Sequence, residues 1–183
     1  AADPQSFATE VMATSGRVDV VAGGPPCQGW SIQRRGDRKD ARNDLTLKYA
    51  QLAVALNPRA IIMENVPTIL GTRGRAHLEQ VESILRSAGY TVVKTTLNAA
   101  SFGVPQARRR AVLVALSQEM GVPFSFPSAT YGETAWRTVR DAIGDLPPPP
   151  SDGSEHPAYP NHRLVKISAK NLERLSHVPE GGG

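Results

Sequence analysis

The sequence predicts an α/β domain with a mostly parallel sheet. Short apolar, β-branched runs at 18–22, 60–63, 91–98 and 110–116 alternate with helically spaced segments at 5–15, 44–56 and 74–87. Runs of that brevity suit strands buried beneath helices. Size agrees, since 183 residues of which 40% are hydrophobic are enough for one domain with a real core.

In chain order, the first helix carries Phe7, Ala8, Val11 and Met12 as its apolar positions, and Gly16 stops it. The run Val18 to Ala22 reads as a strand buried on both faces. It leads into GGPPCQGWS, where two glycines and two prolines forbid regular structure. Residues 31–43, SIQRRGDRKDARN, are polar and basic, hence a solvated, mobile loop. Asp44 is placed to cap the next helix, whose apolar side holds Leu45, Leu47, Tyr49, Leu52, Ala53 and Leu56, and Asn57-Pro58 ends it. The strand 60–63 follows, then a helix with Leu78, Val81, Ile84 and Leu85 that Gly89 stops. Past 117 the pattern weakens. Thr138 caps a short helix to Ile143, four prolines at 147–150 form a stiff spacer, and a helix is predicted near 168–175.

A net charge of +4 leans toward a polyanionic partner. The N-terminus has no basic and apolar leader, and no apolar run approaches the roughly 18 residues of a membrane span. A cytoplasmic protein is therefore expected. The single cysteine excludes an intramolecular disulfide and a zinc site built from cysteines. By composition alone such a thiol is an ordinary small buried hydrophobe.

Three segments alter that reading, because each places reactive side chains just past a strand end, the edge where open α/β sheets bind ligands. In Gly24-Pro25-Pro26-Cys27-Gln28-Gly29-Trp30-Ser31, prolines fix the approach to a thiol and glycines let a substrate come close. Attack along a defined trajectory needs both. Glu64-Asn65-Val66-Pro67 ends the strand 60–63, and a carboxylate there is costly without a partner or a task. Gln106-Ala107-Arg108-Arg109-Arg110 enters the last strand. Alternation puts Arg108 and Arg110 on one side of an extended chain and Arg109 on the other.

GPPCQGxS, then ENV, then QxRxR, in that order and at those strand ends, resembles the cytosine-5 DNA methyltransferase family of bacterial type. Asp3 resembles that family's acidic contact to the cofactor adenine, and Leu45 a leucine that touches the cofactor. Pro25 joins them as a cofactor-binding candidate. TVRDAIGDLP and the closing NHRLVKIS…NLERLSHVPEGGG resemble the approach to the target-recognition region. The resemblance implies an incomplete Rossmann-like sheet with flanking helices, dependent on S-adenosylmethionine. Residues 1–146 are then part of the catalytic domain, and 147–183 a linker leading toward a recognition region.

The chemistry so implied is methylation of cytosine C5 in duplex DNA. Cys27 adds to C6, and Glu64 hydrogen-bonds N3 and the exocyclic amine. Arg110 and Arg108 donate to the base O2 or the adjacent phosphate, and Asn65 braces the Pro-Cys loop. The target base is flipped out of the duplex. The basic segment, with Arg34, Arg35, Arg38, Lys39 and Arg42, grips phosphates, while Gln28, Ser31 and Gln106 are further candidate DNA contacts. No FxGxGG motif of the kind that cradles the methionine and ribose occurs in these residues, so the chain is expected to be a fragment whose missing segments are partners, with the strand 18–22 left at an open sheet edge. Two alternatives stay open at this stage: the tRNA-methylating branch of the same fold, and a nucleic-acid-binding remnant that has lost the chemistry. CQGWS and the bacterial-looking tail favour DNA.

Overall fold

In a computed structural model of the protein, residues 3–26, 44–72 and 74–179 are described. They divide into two compact units, Ala1–Asp141 and Ala142–Gly183.

In the first unit, α1 (Pro4–Ser15) starts where Asp3 accepts a bond from the Ser6 amide and Pro4 opens the first turn. Both devices favour nucleation there. Gly16 closes it at a φ of 71°. Only Ala8 of α1 is fully buried; Phe7 and Met12, expected on its apolar side, are each 40% exposed. Strand β1 is Val20–Gly23, shorter and later than expected; it is not buried on both faces and lies at the open sheet edge expected of a chain without the first strands. Val20 is 54% exposed there.

Helix α2 (Asp44–Ala55) buries Thr46, Ala50 and Ala53. Asp44, expected as its cap, is instead its first helical residue, where a carboxylate complements the positive end of the helix dipole. Strand β2 (Ala60–Asn65) follows, then α3 (Arg75–Ser87), which buries Leu78, Val81 and Leu85. The Thr46 hydroxyl meets His77 across α2 and α3. Strands β3 (Tyr90–Asn98) and β4 (Arg109–Ser117) complete the sheet.

The strand order is β1-β2-β4-β3. β1 and β2 pair in parallel, but β4 runs antiparallel to both β2 and β3. The expected mostly parallel sheet is corrected on this point, for a physical reason. A parallel return needs a long crossover, normally a helix. Only a 3₁₀ turn (Ala99–Phe102) and a few further residues separate β3 from β4. β4 therefore folds straight back, into the slot between β2 and β3.

One side of the sheet carries the core. Ile61 and Met63 of β2, Val92 of β3 and Ala111, Leu113 and Ala115 of β4 pack on Ala50, Ala53, Leu78, Val81 and Leu85 of the two helices. The buried Tyr90 hydroxyl donates to the Pro58 carbonyl at 2.8 Å. Alternation sends Ile62 and Glu64 to the opposite side, where Ile62 is 37% exposed. No helix among the described residues is long and apolar enough to cross a membrane.

A short α4 (Val139–Ile143) begins where Thr138 and Asp141 bond reciprocally, side chain to backbone, as expected of a capping Thr138. Those bonds from Thr138 hold the Asp141 carboxyl below its ordinary value. In the second unit His162 Nε2–H donates to the Pro147 carbonyl at 2.7 Å, and Ser168 caps α5 (Ala169–Ser176).

Candidate active site at the sheet rim

β1 and β2 end at the same rim of the sheet, and the reversed direction of β4 brings its beginning there too. Glu64 and Asn65 are the last two residues of β2, opposite Val112 and Ala111. They point to opposite sides and act differently. The Glu64 side chain is 46% exposed and its Oε1 lies 2.6 Å from Nε of Arg110. The cost of a carboxylate at a strand end is thus met by a charged partner and by water. Arg110 is further fixed by a bond from its guanidinium to the Arg109 carbonyl, at 2.7 Å. The other Glu64 oxygen, Oε2, abuts Gly24. A Cβ at that position would lie 3.1 Å from it, so a larger residue would press the carboxylate aside by a few tenths of an ångström.

Asn65 is 5% exposed. Its Nδ2 donates to the Pro25 carbonyl at 3.0 Å, and its Oδ1 accepts from the Val66 amide at 2.8 Å. A backbone amide can only donate, so the amide orientation is unambiguous. Asn65→Asp replaces the donor facing Pro25 with a carboxylate oxygen facing a carbonyl. The expected loss is about 2 kcal/mol of folding stability in urea titrations, the range for a buried group left unsatisfied. A midpoint equal to the wild type would contradict it.

The remaining predicted residues disperse. Arg108 precedes β4, where strand alternation no longer governs its direction. It is exposed, and its amide donates to the Asn98 side chain at 3.0 Å. Gln106 is exposed, its amide bonded to the Val104 carbonyl. Asp3 caps α1 through Oδ2, and Leu45 in the first turn of α2 is 37% exposed. Cys27, Gln28, Ser31, Arg34, Arg35, Arg38, Lys39 and Arg42 lie outside the described residues.

The rim thus holds, side by side, a carboxylate and a guanidinium. Together they offer an acceptor and a donor to one edge of a planar heterocycle. Next to them passes the backbone that leads into the only cysteine. The family model for C-5 cytosine-specific DNA methylases matches residues 3–177. The chain belongs to this family. Among members, it is 36% identical to the type II methyltransferase M1.HphI of Haemophilus parahaemolyticus, over 91% of this chain and 44% of that protein. With the type II methyltransferase M.AquIA of Picosynechococcus it shares 33% identity, over 81% of this chain and 71% of that one. The chain spans less than half the length of M1.HphI and of M.AgeI of Thalassovita gelatinovora. A solved E. coli prophage protein assigned as a DNA modification methyltransferase superposes with a TM-score of 0.63 over 80% of this chain and 41% of its own, at 24% identity, a likeness of fold.

Sequence reasoning did not find the close pass of Gly24 under Glu64. Gly24 had a signal, the paired glycines at a strand exit.

Proposed function

We propose that this chain is the base-facing part of an enzyme that methylates C5 of a flipped-out cytosine in duplex DNA, with Cys27 as nucleophile. The observation that carries the reading is the Glu64–Arg110 pair seated against Gly24, three residues before Cys27. Cytosine presents O2 and N3 as adjacent acceptors and its exocyclic amine as a donor. Arg110 donates to O2, while Glu64 accepts from the amine and shares a proton with N3. Thymine, with N3–H and a carbonyl in place of the amine, offends both contacts.

The reaction is then a covalent cycle. The Cys27 thiolate forms a bond to C6, and the π pair of the C5=C6 double bond moves toward C5 and C4 as Glu64, protonated in the complex with the base, delivers its proton to N3. Holding charge off the ring in this way is general acid and electrostatic help. C5 takes a methyl group from a donor that departs as a neutral thioether, then loses its proton to a base as the C6–S bond breaks to restore the thiolate, and N3 returns its proton to Glu64. S-adenosylmethionine, when bound, supplies the electrophilic methyl. The residues present fit its adenine end: among the described residues only one oxygen of Asp3 is bonded, leaving the other for an amine, and Leu45 offers an exposed apolar surface. Arg34, Arg35 and Arg108 are assigned to DNA phosphates on charge, and Gln28, Ser31 and Gln106 to further DNA contacts on their order in the sequence.

The test joins this chain to the flanking segments its longer relatives carry. Duplex DNA and tRNA are offered separately, each with methyl-labelled S-adenosylmethionine. Label in DNA alone is the expected result; label in tRNA alone would sink the DNA reading.

A further inference from the structure

Tyr49 stands on α2 with its ring against Gly23, the last residue of β1. A Cβ at Gly23 would fall 2.6 Å from Cε2 of that ring, closer than packed atoms approach. The hydroxyl donates to the Ile62 carbonyl at 2.8 Å and lies 3.3 Å from the Val21 carbonyl, so one proton spans both parallel strands. Burial pushes the phenol up to about 12, and it stays a donor throughout the working range of an enzyme.

The last residue of β1 and the two that follow it each meet a different side chain. Gly23 lies under the Tyr49 ring, Gly24 under the Glu64 carboxylate, and Pro25 is held by the Asn65 amide. Two of these side chains belong to the site itself. The third comes from helix α2, and its hydroxyl ties β1 to β2 two residues before Glu64.

We propose that Tyr49 is a positioning residue for methyl transfer: its ring and hydroxyl set where β1 leaves the sheet relative to Glu64. The proposal rests on the methyltransferase reading above. An exit displaced by a fraction of an ångström leaves the fold intact and spoils the approach of the segment that follows, and misplacements near 1 Å can cost about 100-fold in rate.

The test uses four variants of the chain joined to its flanking segments: Tyr49→Phe, Tyr49→Leu, Gly23→Ala and the Gly23→Ala/Tyr49→Leu double. Turnover is expressed per site that 5-fluorocytosine DNA can trap at completion, which removes unfolded molecules from the comparison. Tyr49→Phe keeps the ring and loses the strand-to-strand bond; it is expected to lower kcat about tenfold with KM for DNA within about twofold. Gly23→Ala forces the backbone away from the ring and is expected to lower kcat about 100-fold. The double variant opens room for the new methyl and turns over faster than Gly23→Ala alone. A purely structural role predicts lost trappable sites with unchanged turnover in those that remain. Wild-type turnover per site in Tyr49→Phe overturns the proposal, as does a double variant no faster than Gly23→Ala. A wild type that traps no DNA overturns the methyltransferase reading, and this proposal with it.

Discussion

Cys27→Ser, made in the chain joined to its relatives' flanking segments, should abolish the covalent adduct with 5-fluorocytosine duplex DNA while duplex affinity stays within about threefold. A thiol with a pKa near 8.5 holds a few per cent thiolate at neutral pH, and thiolates are intrinsically strong nucleophiles. A serine hydroxyl is not ionised at neutral pH and is a weak nucleophile without an adjacent base. Fluorine at C5 blocks the final loss of a proton, so the adduct accumulates and is read as a shifted band on a denaturing gel. An adduct that persists in Cys27→Ser would remove this residue from the chemistry. The contrast with binding is what gives the experiment its force. A remnant that only binds nucleic acid traps nothing in either form, and a misfolded variant loses both readouts together.

Glu64→Gln is expected to slow adduct formation by about 100- to 1,000-fold, the range for removing a proton-transferring or charge-stabilising group. Gln keeps the shape of Glu, and its amide can still accept from an exocyclic amine. It cannot deliver a proton toward N3 as the thiolate adds. Stability should change little. The Glu64 side chain is 46% exposed and Arg110 27%, and an ion pair so hydrated contributes about 0–1 kcal/mol. Single-turnover trapping, with a urea titration alongside, separates the two effects. A rate within about threefold of wild type would assign the proton transfer elsewhere.

The sequence made the chemistry at the rim legible sooner than its geometry. Glu64 and Asn65 stood out because a run of four apolar residues stops at two polar ones, and the structure sends these to opposite sides, as residues one apart on a strand must go. The same alternation, applied to Arg108 and Arg110, placed them together. It holds only inside the strand, and Arg108 falls just before Arg109, where β4 begins. Strand direction was not legible, because periodicity reports which face is buried and says nothing of which way the chain runs. The clue was negative: residues 99–108 have no helical spacing to support a crossover. Asp3 was read for its charge, yet it is followed by Pro4 with Ser6 in reach of its carboxylate, an arrangement that also caps α1. Tyr49 was hidden for a different reason. Its partners are backbone carbonyls on two other segments, and such contacts leave no pattern in the residues that supply them.

The fold-back of β4 makes the identity of the arginine beside Glu64 a matter of parity. Asn98 pairs with Arg109 and Leu97 with Arg110. The Asn98 side chain pins this alignment by accepting both the Arg108 and the Ala100 amides, while the Ala99 amide bonds to the Arg108 carbonyl. Adding or removing a single residue between 99 and 108 would, if β4 shifted to absorb it, turn Arg110 toward the helices and present a neighbouring residue to the carboxylate. A change of two would restore the side but move the guanidinium along the rim by about 6.6 Å, two residues of strand rise. Loops ordinarily tolerate changes of length. This one counts residues, and a drift in its length would be felt first as a lost charge partner at Glu64 rather than as a loss of fold.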